Sequence, residues 1–382
     1  MSKIRVLILV TDLNIGGVPL FIKDLACGLV ELNQQTSSDN QNSSHPMFDV
    51  HIACLAPHGP VADELRNRGL QTHCLNARGP WDLRTFGRLA ALLHKLKPHI
   101  LHCCLIHANV AGALIGKLMG TKRVFTSTHT AEKGKLWHLK AENLICRLHP
   151  VSVCISHSVK RHLVRHAHIP PSRLSVIYYG IDCPKFAQAL PANLSEFGCA
   201  KNRKTLIFVG RLDPVKNIDL ILRALSQLIN RHKQNLQLLI VGDGPQRPQL
   251  ENLTRQLNLT DRVCFTGARR DVERLLKAAD LFLMPSKWEG FGLSAAEAMA
   301  AQLPVIASRT EGLIDVIDHH ANGLLVTPNQ LDELTQSIKS LLENPQKMKS
   351  LAHAAQIKAR QNYSLNTMIE NYTNFYLQLL RF

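Results

Sequence analysis

Short apolar runs alternate with longer amphipathic stretches along the chain, and this alternation limits the possible folds more than any other feature. In the first half, the runs that predict strands are Ile4–Val10, Val50–Leu55, Ile100–Cys104, Val124–Ser127, Val151–Ile155 and Leu174–Ile177. The predicted helices between them include Pro19–Glu31, Leu83–Leu96 and Ala108–Leu118. Strands that alternate with helices form a parallel sheet with helices on both faces. The first half therefore predicts one α/β unit.

The same alternation starts again after Asp182–Arg203, a connector with little periodicity. The second set of predicted strands is Thr205–Val209, Leu236–Val241, Arg262–Phe265, Leu281–Met284 and Pro304–Ala307. The predicted helices there include Asn217–His232, Arg247–Leu257 and Leu293–Ala301. A chain of 382 residues is long enough for two cores. We therefore predict an α/β fold with two Rossmann-like domains, residues 1–182 and 183–362, whose parallel sheets face each other across a cleft.

Two further segments have a distinctive composition. The polar stretch Gln34–Pro46 is rich in Ser and Asn, which predicts a flexible surface loop. Tyr363–Phe382 is helical in pattern and carries several aromatic residues. An isolated tail would expose those rings to water, so we expect this C-terminal helix to pack back on the N-terminal domain.

The chain is strongly basic, with 45 Lys and Arg against 29 Asp and Glu and a formal net charge of +16. Such a surface attracts phosphate, whether on a nucleotide, an anionic lipid or a nucleic acid. No zinc finger, RNA-recognition signature or basic heptad accompanies the charge, so we expect no nucleic-acid partner.

The expected compartment follows from cysteine usage and hydropathy. The ten cysteines form no C-x-x-C pair, which favours buried reduced thiols over a metal site or disulfides. The start of the chain is not typical of a signal peptide, and no apolar segment approaches the ~20 residues that span a bilayer. We therefore expect a cytoplasmic protein, either free or peripheral on the inner face of the membrane.

The segment Leu281–Ala301 combines a predicted strand, a glycine-rich loop and the start of a helix. Gly290 and Gly292 allow close approach of the backbone to a ligand, and the free N–H groups at the helix start suit a phosphate. Glu289 and Glu297 bracket this anion site and could bind sugar hydroxyls on either side of a diphosphate. The alternative reading is an ordinary strand–loop–helix junction with surface acids.

A second motif places two cations at the end of a predicted strand. Gly210 directly follows the predicted strand Thr205–Val209, and Arg211 and Lys216 flank the turn before the next helix. Cations there offer charge-assisted hydrogen bonds to phosphate. Solvated surface cations are the alternative.

Two weaker motifs lie in the first domain. Gly16 and Gly17 follow the first strand and could cradle a phosphate, although a Gly-Gly turn before a helix needs no ligand. His129 ends the strand-like segment Thr126–Thr130 and is expected to face the cleft, although a lone His is more often structural.

These four motifs, in this order, resemble those of the retaining GT-B glycosyltransferases of family 4, often called group 1. The resemblance covers nearly the whole chain and is strongest from Leu206 to Leu325. The segments that support it are Val241–Pro245, Val263–Gly267, Pro304–Ala307, Glu311–Gly312 and Asn322–Val326.

The resemblance implies a role for each motif residue. Glu297 resembles the Glu that binds the ribose, and Glu289 the Glu that contacts the donor sugar near the reacting carbon. Arg211 and Lys216 resemble the diphosphate clamp, and His129 resembles the His that touches the transferred sugar. The remaining donor-binding residues, which would contribute mainly backbone contacts, are Gly16, Gly17, Gly210, Gly290, Phe291, Gly292 and Leu293.

The resemblance also implies the reaction. A sugar moves from a nucleotide-sugar co-substrate, expected to be a UDP- or GDP-sugar, to a glycan, lipid-linked or small-molecule acceptor with retention of configuration. No cofactor and no metal are expected. Synthesis of cell-envelope polysaccharide or glycolipid, such as lipopolysaccharide, is the expected setting.

Three departures from the family pattern leave the acceptor open. The domain junction contains Tyr179–Asp182 in place of Asn-Gly-Ile-Asp, and His102–Cys104 replaces a His-x-His. The glycine-rich loop continues with Val18-Pro19, where a more flexible pair is usual. All three lie on the acceptor side or at the hinge.

Other functions remain as alternatives at this point. A non-catalytic sugar-nucleotide-binding GT-B protein and a GT-B sugar-nucleotide epimerase share the fold, although no acid–base set for an epimerase is found. The basic stretch Ser158–His166 predicts a cationic helix that could dock on anionic lipid. A solvated helix face is the competing explanation.

Overall fold

The computed structural model describes residues 3–14, 16–38, 47–79, 82–129, 136–149 and 151–381. The chain forms two units. The first comprises Met1–Gly180 and Leu365–Phe382, and the second comprises Ile181–Ser364. Each unit is built on its own parallel sheet. The predicted pair of Rossmann-like α/β domains is therefore confirmed.

Seven parallel strands form the sheet of the first unit. They are β1 Ile4–Val10, β2 Phe48–Cys54, β3 Gln71–Cys74, β4 Ile100–Cys104, β5 Arg123–Thr128, β6 Ser152–Cys154 and β7 Leu174–Val176. Their order in the sheet is β3-β2-β1-β4-β5-β6-β7. The helices that join them are α1 Gly17–Ser38, α2 Pro60–Asn67, α3 Leu83–Leu96, α4 Ile106–Leu118, α5 Leu136–Leu148 and α6 His157–His166. The central strand β1 is fully buried from Val6 to Val10.

Helix α1 is longer than its apolar pattern predicted. It continues to Ser38, so the predicted loop is wrong for its first five residues, and residues 39–46 lie outside the described part of the chain. Glutamine tolerates a helical backbone, so polar composition alone did not exclude another turn. Strand β3 was missed because it is an edge strand with no buried residue, and it therefore lacks an apolar run.

The second unit contains a six-stranded parallel sheet. Its strands are β8 Lys204–Val209, β9 Leu236–Val241, β10 Val263–Gly267, β11 Leu281–Met284, β12 Val305–Ser308 and β13 Leu324–Val326. They are arranged in the order β10-β9-β8-β11-β12-β13. Its helices are α7 Cys183–Gln188, α8 Ile218–Asn230, α9 Arg247–Gln256, α10 Val272–Ala278, α11 Leu293–Ala300, α12 Leu313–Val316, α13 Leu331–Leu342 and α14 Pro345–Asn362.

The expected connector Asp182–Arg203 is partly helical. The side chain of Asp182 accepts a hydrogen bond from the backbone N–H of Lys185 and caps α7. Pro184 in the first turn suits a helix start, because that position needs no N–H donor. Helix α7 has only six residues, which is too short for a periodic signal in the sequence.

The last helix, α15 Leu365–Arg381, belongs to the first unit, where it packs on α1. Tyr372 and Tyr376 are fully buried. The hydroxyl of Tyr376 lies 2.9 Å from Nδ1 of His102 in β4. Gly28 of α1 meets this helix closely, since a Cβ there would lie 2.0 Å from Cδ1 of Ile369. The aromatic residues of the C-terminal segment are thus part of the first core.

Candidate active site

Two neighbouring strands of the second sheet, β8 and β11, end next to the residues predicted to bind the donor. Gly210 and Arg211 follow β8, and the loop from Pro285 to Gly292 follows β11. Because both strands are parallel, their carboxyl ends meet at one edge of the sheet, where open α/β sheets bind ligands.

Lys216 and Glu289 form an ion pair across these two segments. The Lys216 Nζ lies 2.6 Å from Glu289 Oε1, and their side chains are only 18% and 11% exposed. The backbone N–H of Lys287 donates to the carbonyl of Val215 at 2.8 Å, which joins the same segments. Two residues predicted separately for sugar and phosphate binding are therefore held together.

Asn217 fixes the turn that carries Lys216. It adopts a left-handed backbone with φ of 58° and is buried. Its side-chain amide donates to the carbonyl of Pro285 at 3.2 Å and to Oδ1 of Asn329 at 3.1 Å. Asparagine tolerates this conformation better than most residues, so it can hold the turn without much strain. Sequence reasoning missed this role, although Asn217 directly follows Lys216.

Arg211 has a different environment from Lys216. Its guanidinium pairs with Asp213 at 3.0 Å and is 71% exposed. The backbone around it is fixed, because the N–H of Gly210 donates to the Val241 carbonyl and the N–H of Leu212 to the Asp243 carbonyl. Arg211 is thus a solvent-facing cation on a rigid turn.

The loop before α11 turns the ring of Phe291 inward. Phe291 is 2% exposed, and its ring packs edge-on against Tyr363 at 5.2 Å. Gly292 at the helix N-cap has φ of 96°, and a Cβ there would lie 2.6 Å from the Leu313 side chain. At the start of α11, the N–H groups of Ala295 and Ala296 both donate to the Gly292 carbonyl, and those of Leu293 and Ser294 precede this first hydrogen bond of the helix. Glu297 is half-buried one turn later.

The segment Glu311–Gly312 packs against the backbone of Glu289. The Glu289 N–H donates to the Glu311 carbonyl at 3.2 Å. Gly312 has φ of 86°, and a Cβ there would lie 2.5 Å from the Glu289 carbonyl oxygen. The sequence drew attention to this dipeptide only through the family resemblance and gave it no role.

In the first unit, the glycines at the start of α1 are not required by local packing. A Cβ at Gly17 would meet nothing within 4 Å, and the nearest atom to a Cβ at Gly16 lies 3.7 Å away. Gly17 does not have a left-handed backbone. Contact of these glycines with a donor stays a prediction from the family resemblance.

His129 lies at the end of β5 and is buried. Its Nδ1 is 2.7 Å from the Tyr179 hydroxyl, and its ring stacks on that of Tyr179. Burial lowers the pKa of His129 to about 3, so the ring is neutral at physiological pH. Its contact with the transferred sugar also stays a prediction.

Glu142 of α5 is a buried acid that sequence reasoning missed, because a lone Glu in an amphipathic helix normally faces solvent. Its Oε1 accepts hydrogen bonds from Thr128 Oγ1 at 3.2 Å and Asn109 Nδ2 at 3.4 Å. Burial raises the pKa of Glu142 to about 7, and these two hydrogen bonds partly oppose the rise.

Replacing Glu142 with glutamine is expected to increase the free energy of unfolding by an amount that grows with pH. The unfolded carboxyl has a pKa of 4.5 and the folded one about 7. The stabilisation from Glu142 is therefore present below about pH 4.5 and is lost as the pH rises to about 7. The gap corresponds to about 3 kcal/mol at and above neutral pH. Urea unfolding of wild type and Glu142→Gln at pH 5 and pH 8 measures this difference in the free energy of unfolding.

Glu343→Gln, on the surface of the second unit, is the control. An equal Glu142→Gln effect at both pH values would contradict the assignment.

The basic helix α6 uses two of its cations within the protein. Lys160 donates to the carbonyl of Leu174 at 2.6 Å, and Arg161 donates to Ser158 Oγ at 2.7 Å. This helix is therefore less cationic toward solvent than its sequence predicted.

Among the helices that the structure describes, none is long and apolar enough to cross a bilayer. In the same residues, no group of three or more His, Cys, Asp or Glu side chains could hold a metal ion.

Two family models match the chain. Residues 192–358 match the glycosyl transferases group 1 model, and residues 45–185 match the glycosyltransferase family 4 model. An uncharacterized glycosyltransferase of Methanocaldococcus jannaschii is 31% identical over 235 residues, which span 59% of this chain and 59% of that protein. The UDP-Gal:α-D-GlcNAc-diphosphoundecaprenol α-1,3-galactosyltransferase of Escherichia coli is 29% identical over 76% of this chain and 79% of its own length.

Solved structures share the fold over nearly the whole chain. Anabaena Alr3699/HepE in complex with UDP-glucose superposes with a TM-score of 0.82 at 21% identity, covering 98% of this chain and 99% of its own. A glycosyltransferase from Rickettsia africae gives 0.83 at 21% identity, with full coverage of both chains. At such identities these likenesses establish the fold.

Proposed function

Because the chain belongs to the family 4 (group 1) glycosyltransferases, whose fold is GT-B, we propose that it transfers a hexose from a nucleotide sugar to a glycan or lipid-linked acceptor. The reaction retains the anomeric configuration and uses no metal. The donor is a UDP- or GDP-sugar that acts as co-substrate. Support for UDP comes from the Escherichia coli relative, named for UDP-Gal, and from the Anabaena neighbour, which was solved with UDP-glucose.

The Lys216–Glu289 pair is the observation that carries this proposal. Breaking the anomeric bond releases a nucleoside diphosphate, and negative charge builds up on its oxygens. A fixed cation and the free N–H groups of α11 stabilise that charge without reorganising during the reaction. In the proposed site, Lys216 contacts the diphosphate and Glu289 contacts the sugar, and the observed distance of 2.6 Å between their terminal atoms supports a shared site. Arg211 adds a second cation that can swing onto the diphosphate from solvent.

The remaining residues bind and position the donor. Glu297 holds the ribose, while the backbone of Gly290–Leu293 follows the sugar and phosphate because the Phe291 ring is turned inward. We assign no protein nucleophile, and the leaving phosphate oxygen takes the acceptor's proton. Gly210 leaves room for the diphosphate at the end of β8.

A thermal-shift comparison of UDP, GDP, ADP and CMP tests the donor site. One nucleoside diphosphate at a hundredfold excess over its dissociation constant should stabilise the protein by about 2.7 kcal/mol. For domains of this size, that corresponds to a rise of roughly 5–10 °C in the midpoint. Glu297→Ala should abolish most of the shift, whereas Glu343→Gln should preserve it. A wild-type protein that responds to none of the four nucleotides would rule out the donor site.

We also propose peripheral contact with the inner face of an anionic membrane, where a lipid-linked acceptor is available. Support comes from α5, whose residues Leu136, Lys140, Leu144 and Arg147 follow helical spacing and line one surface groove. Leu136 is 72% and Leu144 54% exposed. Exposed leucines flanked by cations match the composition of interfacial helices.

Liposome flotation tests this contact. The protein should float with vesicles that contain phosphatidylglycerol, and binding should weaken as salt rises because the cations are screened. The double variant Leu136→Ser/Leu144→Ser should lose binding. Leu190→Ser removes an equally exposed leucine from the second unit and should have no effect. Equal flotation of both variants would eliminate the α5 surface as the contact.

A further inference from the structure

Two cysteine thiols of the second unit lie in contact. The Sγ atoms of Cys199 and Cys264 are 3.3 Å apart, and both thiols are free. Cys199 is 4% exposed, whereas Cys264 is partly exposed. Because 65 positions separate the two residues in the chain, only the fold brings them together. We refer to these two side chains as the Cys199–Cys264 dithiol.

Both cysteines are held against the same strand, β9. Cys264 lies in β10 and pairs with Leu239 of β9. The segment of Cys199 is fixed by Gln237 of β9, whose side-chain amide accepts from the Ala200 N–H at 2.8 Å and donates to the Ala200 carbonyl at 3.1 Å. Gln237 is 2% exposed, so these hydrogen bonds are shielded from water. The two sulfurs therefore meet because two anchored backbone segments hold them side by side.

A metal site does not explain the dithiol. Zinc sites in proteins use three or four protein ligands. In the part of the chain that the structure describes, no group of three or more His, Cys, Asp or Glu side chains could hold a metal ion. Two thiols can also be ordinary neighbours in a core, so the surroundings of each sulfur decide its chemistry.

The two sulfurs have different surroundings. The Cys199 thiol donates its hydrogen bond to the Cys264 sulfur, which lowers the pKa of Cys264. Burial opposes this change, and the positive charge of Arg203 adds to it. The same hydrogen bond and burial raise the pKa of Cys199. Cys264 is therefore the sulfur that ionises more readily and is more accessible, and Cys199 is its protonated neighbour.

A surface cavity of about 620 Å³ adjoins the dithiol, and Cys199 is part of its lining. Asp280 is the one acid in this described lining, against four basic residues. The basic residues are Lys201, Arg203, Lys204 and Lys277. Lys204 and Lys277 donate to neutral backbone carbonyls, so their charge is not cancelled by an acid. The dithiol thus lies beside an electropositive depression, and such an environment favours a reactive thiolate.

We propose that the Cys199–Cys264 dithiol is a redox-sensitive site, in which a hydroperoxide oxidises Cys264 and Cys199 converts the product into a reversible disulfide. The Cys264 thiolate attacks one oxygen of hydrogen peroxide, the O–O bond breaks, and hydroxide leaves with the proton that Cys264 gave up, as water. The Cys199 sulfur then attacks the resulting sulfenic acid, and its proton leaves with the hydroxyl group as a second water. The two sulfurs lose two electrons, which the peroxide accepts.

Formation of the bond requires little movement. A disulfide has an S–S length of about 2.05 Å, so sulfurs that are 3.3 Å apart need to approach by about 1.2 Å. The bond would close a loop across 65 positions of the second unit and restrict the unfolded chain. The oxidised protein should therefore be the more stable form. This inference does not depend on the proposed transferase function.

Peptide mapping of the full chain after treatment with hydrogen peroxide tests the proposal. The remaining thiols are blocked with N-ethylmaleimide before digestion with trypsin in the absence of reductant. Residues 186–201 and 263–269 form two tryptic peptides with one cysteine each, so a cross-link between them identifies the disulfide. We expect this cross-link as the main oxidation product, and dithiothreitol should remove it. Its absence would overturn the proposal, as would preferential linkage of Cys54 to Cys74, which pair in register between β2 and β3.

Two variants assign the attacking sulfur. Cys199→Ser removes the second thiol, so oxidation of Cys264 should stop at the sulfenic acid, which dimedone labels. Cys264→Ser should leave Cys199 unlabelled, because the buried thiol keeps its proton. Cys27→Ser is the matched control, since Cys27 also contacts a guanidinium, 3.7 Å from Arg68, but lies in the first unit. This control should form the cross-link normally. Equal labelling of Cys199 in Cys264→Ser would overturn the assignment of Cys264 as the attacking sulfur.

Thermal unfolding measures the consequence of the bond. Oxidised wild type should unfold at a midpoint roughly 5–15 °C above that of reduced wild type, the scale for a disulfide that closes a loop of this length. Reductant should reverse the rise, and Cys199→Ser should show none after the same treatment. A midpoint that stays unchanged or falls when the cross-link forms would refute the stabilising role of the disulfide.

Discussion

Replacing Lys216 with alanine is expected to lower the turnover number at least a hundredfold, measured as sugar transfer or as hydrolysis of the nucleotide sugar. A lost charge-stabilising donor typically costs a factor of about 10²–10³ in turnover. The variant also leaves Glu289, which is 11% exposed, without its cation. An unpaired, mostly buried carboxylate would repel the diphosphate as well.

A matched control exists in the same unit. Lys185 pairs with Glu273 at 3.2 Å but is half exposed, so Lys185→Ala removes a lysine–glutamate pair away from the site. It should leave the rate unchanged. Arg211→Ala is the second test and should cause a similar loss of turnover. Arg211 is 71% exposed and contributes little to folding, so this loss would not result from unfolding. Normal rates in both Lys216→Ala and Arg211→Ala would disprove the diphosphate clamp.

Gly312→Ala is expected to reduce turnover by roughly a hundredfold, even though residue 312 contacts no substrate in our proposal. Its Cβ would lie 2.5 Å from the carbonyl oxygen and 3.0 Å from the Cβ of Glu289. The Glu289 backbone must shift to relieve the overlap, and the shift moves the carboxylate relative to Lys216. The left-handed backbone adds a strain of roughly 1–3 kcal/mol.

Gly198→Ala separates these two effects. Gly198 is also left-handed, with φ of 83°, but the nearest atom to its Cβ would be 3.9 Å away. This variant should lose stability in urea unfolding and keep its turnover number. Gly312→Ala should lose both. If Gly312→Ala kept its turnover number, as Gly198→Ala should, the contact of Glu311–Gly312 with Glu289 would have no functional importance.

Strands were predicted best where a parallel sheet buries both faces. Leu236–Val241 and Leu281–Met284 were predicted with their observed bounds because every residue in them is buried. Elements without continuous burial were missed, such as the edge strand β3 and the six-residue helix α7. The periodicity of a sequence records burial, and where burial is incomplete the signal disappears.

The candidate site also has a part that the sequence predicted and a part that it could not predict. Lys216 and Glu289 were each identified, but 73 positions separate them, and only the pairing of β8 with β11 brings them together. The burial of Glu142 depends on neighbours such as Asn109 and Thr128, which lie 33 and 14 positions away in the chain. Such contacts leave no local pattern in the sequence. Residue chemistry could therefore be predicted, whereas the pairing of residues could not.

The assignment of α15 to the first unit has a consequence for biosynthesis. During translation, the residues up to Gly180 leave the ribosome long before Tyr372 and Tyr376 have been made. At about 5–20 residues per second, the nascent first unit waits roughly ten to forty seconds for the helix that covers α1 and His102. Its apolar surface is exposed to chaperones and to aggregation throughout that interval. The second unit, whose residues are contiguous, can complete its folding first.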